Sequence, residues 1–343
     1  MRVTGRVSAQ SMRAVLITAY DGASESLRVA DVALPAPGPG EVLVKMHAAP
    51  INPSDLAFMR GTYAFRKALP AIAGFEGSGT VVASGSGVLP RLLAGKRVAC
   101  ALADPRSGSG TWAEYALAPA LRCVPLRRNV DLDQAASMFV NPLMAWALVA
   151  EARRGHHRAA VANAAAGALG KMLVRLARRF RLPLINIVRR PDQVDLLREI
   201  GAEHVLDSSQ PSFDADLRRL CTALNATIGF DAVTGELSGR MLRAQPKGSR
   251  LIVYGSLSES PALVDPRSLI FDEKQVSGLW LSSWMSRWNP LQQLRITGRV
   301  QALLSTDLAS AIQGRFALEN VRLALERYTA AMSAGKILLV PSR

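Results

Sequence analysis

Between Val161 and Gly170 the chain reads VANAAAGALG, in which Ala165, Gly167 and Gly170 match the A-x-G-x-x-G form of a dinucleotide-binding turn. A strand that runs through such a turn into a helix leaves the first helical N–H groups without partners, and small residues let a pyrophosphate reach them. The cofactor-binding residues expected here are Asn163, Ala165, Gly167, Ala168, Leu169 and Gly170. Taken alone, so Ala-rich a turn reads equally well as a tight connection before a buried helix. The next strand adds an argument from charge. It ends INIVRRP, placing Arg189 and Arg190 where an NAD-binding chain usually has an acid for the ribose 2′-hydroxyl. A guanidinium can fork onto a 2′-phosphate, so the sequence favours NADPH over NADH; the bland alternative is two solvated arginines.

The elements that must hold this turn follow from pattern. From Met12 to about Leu117, the runs RAVLITA, EVLVKMHAA, GTVVASG and KRVACAL have strand length and are separated by Gly/Pro clusters such as PAPGPG, which predicts a partly open β-barrel. From about Gln134, short apolar strands alternate with amphipathic helices, among them GALGKMLVRLARRF and PDQVDLLREIG. That alternation predicts a doubly wound parallel sheet, hence an α/β chain. After Trp288 come two helical stretches and a closing strand, KILLVPS, which is expected to rejoin the barrel. The expected domains are therefore 1–136 with 289–343, and an inserted cofactor domain at 137–288.

Composition narrows the function classes. The chain has 343 residues, 49% hydrophobic and 20% charged, enough to bury the cores of two domains. No stretch reaches the roughly 18 consecutive apolar residues of a membrane span. The start, MRVTGRVSAQSMRAV, carries three Arg and no acid, but is short and lacks an apolar core, so it reads as a disordered extension. Cys100, Cys123 and Cys221 are too far apart to suggest a disulfide framework or a zinc cluster, and a reducing cytoplasm fits them best. The net charge of +15 suits an anionic cofactor or substrate. Nucleic acid is the weaker reading of that charge, because the Arg pairs are scattered without interleaved aromatics.

The order of β module, A-x-G-x-x-G insert and C-terminal return resembles the medium-chain dehydrogenase/reductase superfamily over essentially the whole chain. Within it, NPSDLAFMRGTY, LPAIAGFEGSGTVVASGSGV, the VNP at Val140–Pro142, INIVRRPDQ, REIGAEHVLD and LIFDEKQVSGLWLSSW are most similar to the zinc-free quinone oxidoreductase branch and its trans-2-enoyl thioester reductases. The resemblance implies a GroES-like partly open β-barrel catalytic domain plus an inserted Rossmann doubly wound parallel sheet.

It also gives chemical meaning to what is missing. Zinc-dependent members have a Cys near the position of Asn52 and a G-H-E triplet near Gly74-Phe75-Glu76; with Phe75 in the His position that site cannot form in the usual way. Hydride delivered to the β-carbon of an enone, quinone or enoyl thioester places charge on oxygen, where a hydrogen-bond donor can stabilise it. By resemblance Tyr63 is that catalytic donor and Trp280 belongs to the substrate pocket. Asn52 and Asn141, with Tyr254, Gly255 and Ser256, are expected near the cofactor; Ser256 and the alanines of the turn depart from the family's glycines. The implied activity is NADPH-dependent reduction of a 2-enoyl thioester or similar α,β-unsaturated carbonyl without zinc. The alternatives are an NADPH:quinone oxidoreductase or a non-catalytic nucleic-acid-binding or structural relative. The unprotected edge strand near QVSGLWL predicts a homodimer.

Overall fold

Strands form where β-branched and apolar runs meet Gly/Pro punctuation, and helices where the 3.6-residue period takes over. The computed structural model describes residues 11–102 and 108–341, and divides into two units, residues up to Val140 with those from Ser310, and Asn141–Ala309. Residues 1–10, the greater part of the expected N-terminal extension, lie outside the described residues, and Ser11 already begins a strand.

The first unit opens with β1 (Ser11–Ile17), β2 (Leu27–Ala33), β3 (Glu41–Pro50), α1 (Pro53–Met59), β4 (Ala71–Ile72), β5 (Glu76–Ser84), α2 (Val88–Leu93), β6 (Arg97–Ala101), β7 (Tyr115–Pro119), β8 (Cys123–Pro125) and α3 (Leu132–Ala136). The second contains α4 (Met144–Arg154), β9 (Ala159–Ala162), α5 (Ala168–Arg179), β10 (Leu184–Val188), α6 (Pro191–Glu199), β11 (His204–Asp207), α7 (Phe213–Leu224) and β12 (Ala226–Asp231). It continues through α8 (Glu236–Ala244), β13 (Arg250–Val253), α9 (Pro266–Ile270), β14 (Gln275–Gly278), α10 (Leu281–Ser286) and α11 (Pro290–Leu303). The chain then returns to the first unit with β15 (Ile312–Ala317), α12 (Val321–Ala330) and β16 (Lys336–Val340).

In the first unit β3 is the organising strand. It pairs antiparallel with β5 and β7, and its C-terminal end receives β16, with Leu339 opposite Ala49 and Leu338 opposite Pro50. The resulting seven-stranded sheet is accompanied by a three-stranded sheet in the order β2-β1-β4. Val15, Ile51, Phe58, Phe75, Trp112, Ile337 and Leu339 share one core, so residues near both ends of the sequence are packed together. Burial of such side chains contributes on the order of 1.5–3 kcal/mol each.

The second unit is a six-stranded parallel sheet in the order β11-β10-β9-β12-β13-β14. Every residue of β10, LINIV, is buried, as a parallel strand covered on both faces requires. The strand order reverses between β9 and β12, the place where open α/β sheets leave a crevice at the carboxyl ends of their strands. α5 packs Gly170, Leu173, Val174 and Ala177 inward at helical spacing and ends in Arg178 and Arg179, which complement the helix dipole. No helix among the described residues is long and apolar enough to cross a membrane.

One sequence expectation differs from the structure. The unit boundaries fall at Val140 and Ala309, so α11 and the turn after it belong to the second unit, where the sequence division at 288 gave them to the first. Arg175 and Arg179 of α5 hold that turn through the Ala309 carbonyl and Asp307. An amphipathic period shows that a helix buries one face, not which sheet receives it.

Candidate active site

In the first unit, Asn52 follows β3 and Pro53 at the first helical position starts α1, whose N-terminus is closed by the Asp55 carboxylate accepting from the Asn52 N–H at 2.8 Å. The Asn52 side chain faces inward. Its Nδ2 donates to Glu76 Oε1 at 2.9 Å, and its Oδ1 accepts from the Lys336 ammonium. The other Glu76 oxygen accepts the backbone N–H groups of Phe139 and Val140, at 2.8 and 3.0 Å. Asn52, Asp55, Glu76 and Lys336 are 0%, 2%, 1% and 2% exposed, so these groups must compensate one another, and Asp55 Oδ1 alone among their polar atoms lacks a partner among the described residues. Burial raises the pKa of Asp55 to about 7, with the Glu76 charge adding to it, and raises that of Glu76; burial also lowers that of Lys336, against the pull of both carboxylates. Asn52 was expected beside the cofactor; its amide is instead consumed by this network.

Phe75 turns the same stretch into an aromatic platform. It is 3% exposed and its ring lies 4.8 Å from that of Tyr63, 5.1 Å from Phe58 and 5.8 Å from Phe65. Gly74 before it has φ +90°, and a Cβ there would collide with the Trp112 ring and the Thr111 hydroxyl, so only glycine lets Phe75 reach this position. Tyr63 sits half-buried on the platform in the loop after α1, with its N–H bonded to the Ala57 carbonyl at 3.2 Å. Among the described residues no group of three or more His, Cys, Asp or Glu side chains is placed to hold a metal ion.

In the second unit, the turn after β9 opens at the point where the strand order reverses. A Cβ on Gly170 would fall on the backbone of Ala165, so the absent side chain is what lets α5 close against the turn. Gly167 is the N-cap of α5 and has no side chain to occupy the first-turn N–H groups of Ala168, Leu169 and Gly170. Ala164 adopts φ +49°, a left-handed conformation that costs an Ala on the order of 1–2 kcal/mol, so the turn carries strain just where its amides gather. Asn163 is buried and braces β9 to β12: Nδ2 donates to Asp231 at 2.6 Å and Oδ1 accepts the Ala232 N–H at 2.7 Å. Asp231 also accepts from the Val233 and Thr234 N–H groups, both at 2.9 Å, and from the Ser238 hydroxyl. Thr234 lies 3.1 Å from the Ser256 hydroxyl and 3.0 Å from that of Ser258, fixing the loop after β13. Tyr254 and Gly255 precede that serine pair, and Gly255 passes close under Ala232.

At the end of β10, Arg190 is committed to Asp192 by bonds of 3.1 and 3.4 Å, whereas the exposed guanidinium of Arg189 has no acid partner among the described residues. Of the expected pair, Arg189 is the one free to receive an anion. Asn141 is nearly buried in a π-helical turn that contains Pro142. Trp280 is the N-cap of α10 and 46% exposed, while Trp284 is buried and donates to Glu151 at 2.9 Å. The residues that sequence reasoning missed are Lys336 and the Asp231–Thr234–Ser238 knot. A lysine opening the otherwise apolar strand KILLV was the one available signal.

The alcohol dehydrogenase GroES-like domain family matches residues 38–128, and the zinc-binding dehydrogenase family matches residues 168–295. The mitochondrial enoyl-[acyl-carrier-protein] reductase of Bos taurus is 30% identical over 292 residues, covering 82% of this chain and 75% of the relative. That of Xenopus tropicalis is 32% identical over 270 residues, 75% and 74% of the two chains. Among solved structures, one assigned as an NADPH:quinone reductase from Mesorhizobium loti superposes with a TM-score of 0.89 at 35% identity, over 98% of this chain and 100% of that one. A mycobacterial relative solved with NADPH reaches 0.81 at 26% identity, over 96% and 100%. With its barrel, its inserted sheet in doubly wound order and these relatives, the chain belongs to the medium-chain dehydrogenase/reductase superfamily, in the branch of enoyl thioester reductases and quinone oxidoreductases.

Proposed function

We propose that this protein is an NADPH-dependent reductase that adds hydride to the β-carbon of an activated C=C bond, preferably that of a 2-enoyl thioester, without zinc. The observation that carries the reading is Tyr63 resting on Phe75, an aromatic ring in the position where metal-dependent members place a histidine. NADPH supplies the hydride. Gly170, the open amides of Ala168–Gly170 and the unpaired Arg189 fit its pyrophosphate and 2′-phosphate. As the hydride arrives, charge builds on the thioester carbonyl oxygen, and the Tyr63 hydroxyl donates a hydrogen bond to it; the α-carbon then takes a proton from Tyr63 or water. Half-exposed Trp280 offers an apolar wall to the acyl chain. Tyr254 and Ser256 line the approach to the nicotinamide in this reading.

The test is cofactor oxidation by the wild type and Tyr63→Phe, with crotonyl-coenzyme A and with benzoquinone. Thioester reduction that falls about 10²-fold in the variant is the expected result. Reduction of the quinone alone, equal in both proteins, overturns it in favour of quinone reduction, a reading supported by the assignment of the Mesorhizobium loti structure. No turnover of either substrate favours a non-catalytic relative. Against a nucleic-acid role, Arg154, Arg179, Arg219 and Arg240 each pair with a carboxylate instead of forming a bare stripe.

The working unit is a homodimer joined at β14. Among the described residues that strand pairs with β13 on one side alone, and Ile270, Phe271 and Val276 nearby are 66%, 69% and 38% exposed. Light scattering at micromolar concentration should give twice the chain mass, and a monomeric mass contradicts it. A reducing cytoplasm suits the three buried, unbridged cysteines.

A further inference from the structure

The second unit holds a cavity of about 340 Å³ that neither the cofactor turn nor the reductase reading uses. Helices α4, α10 and α11 and the end of α5 wall it. Its sides are aromatic: Trp146 meets Phe180 edge-on at 5.6 Å, and Trp284 meets Trp288 at 5.8 Å. The walls are fixed from behind, because the Trp284 N–H is held by Glu151, itself buried and anchored by Arg154 at 2.8 Å and Arg250 at 3.5 Å. Trp288 differs from its neighbour in one respect. Its Nε1–H is buried away from solvent and has no acceptor among the described residues.

The rim is basic. Arg153, Arg295 and Arg299 line the cavity, and among the described residues no acidic side chain does. Arg153 lies 4.7 Å over the Phe180 ring, and neither Arg295 nor Arg299 has an ion-pair partner among the described residues. The last two are one helical turn apart on α11, a like-charge spacing that disfavours the helix by roughly 0.2–0.5 kcal/mol until a counter-ion arrives. The contrast with the paired arginines elsewhere on this unit is local. Adjacent Arg154 is bound to Glu151 while Arg153 is not.

We propose that this cavity binds a small aromatic anion: a planar ring system bearing a carboxylate, sulfonate or phosphate. The ring packs among Trp146, Phe180, Trp284 and Trp288, and the acid group pairs with Arg295 and Arg299. The volume falls within the range of small-molecule sites.

Anilinonaphthalene sulfonate tests it, titrated by fluorescence into the full chain saturated with NADPH so that the cofactor turn is blocked. The wild type should show one saturable site. Arg295→Ala with Arg299→Ala should weaken it about 10-fold or more. Both arginines are exposed, so an unchanged melting temperature is expected to accompany the loss. Phenylnaphthylamine, which keeps the rings and lacks the acid, should bind wild type and double variant alike, and more weakly than the sulfonate. Absence of saturable binding, equal sulfonate affinity in wild type and double variant, or a neutral probe that binds as tightly as the sulfonate overturns the proposal.

Discussion

The loop at Asn52 and the turn at Ala165 are both polar constellations at the C-terminal end of a strand, yet they end in opposite states. Around Asn52 the donors and acceptors turn inward onto one another, Lys336 to Asn52 to Glu76 to two backbone amides, and of the Asp55 carboxylate only one oxygen is left over. At α5 no N-cap side chain takes up the first-turn amides. Buried polar groups that close on themselves stabilise and position; polar groups left open by the backbone are where ligand chemistry belongs. The buried network at Asn52 thus reads as scaffold, whereas under the proposed function binding belongs to the turn and the reactive hydroxyl to Tyr63, beside that scaffold.

The comparison breaks most visibly at Lys336. Lys336→Met leaves Glu76 without its counter-charge, and unfolding free energy should fall by about 3–5 kcal/mol in denaturant melts. Adding Glu76→Gln should recover part of that loss, since both charges are then gone. A Lys336→Met protein as stable as the wild type refutes the scaffold reading.

Asp55 sharpens it through pH. Its folded-state pKa of about 7 lies above the roughly 3.9 of an unstructured Asp, so the folded chain keeps a proton that the unfolded one releases. The contribution is full below about pH 4 and is lost as pH rises to 7, by up to about 4 kcal/mol. Asp55→Asn should flatten this decline, and melts across that window that track the wild type would show Asp55 ionised throughout.

The smallest effect is expected in the open region. Arg189→Ala should weaken NADPH binding about 10-fold, as loss of one charge-assisted hydrogen bond predicts, with NADH affinity and melting temperature unchanged. Equal loss for both cofactors by calorimetry would move Arg189 away from the 2′-phosphate.

The open region was largely legible in the sequence, because its signals are local. Ala165, Gly167 and Gly170 lie within six residues and Arg189 follows one strand later. What sequence could not separate was Arg189 from Arg190, since the partner Asp192 that takes up Arg190 is seen only once side chains are placed. The closed region was barely legible. Asn52 and Lys336 are 284 residues apart, and no spacing rule reaches across an inserted domain. Asn52 and Asn163 both looked like ligand-facing amides, and both proved to be braces, because an Asn beside a turn has the same sequence signature whether its amide points in or out.

The pairing of β16 with β3 has a consequence for synthesis on the ribosome. Chains are made from the N-terminus, and domains usually complete in that order. Here the first unit waits for its last strand, and Asp55 and Glu76 have no ammonium to meet until Lys336 has emerged. The contiguous second unit, Asn141–Ala309, has all its strands before that point. The cofactor-binding half of the molecule can therefore mature first, and a nascent chain arrested before residue 336 would carry a finished nucleotide fold beside an open barrel.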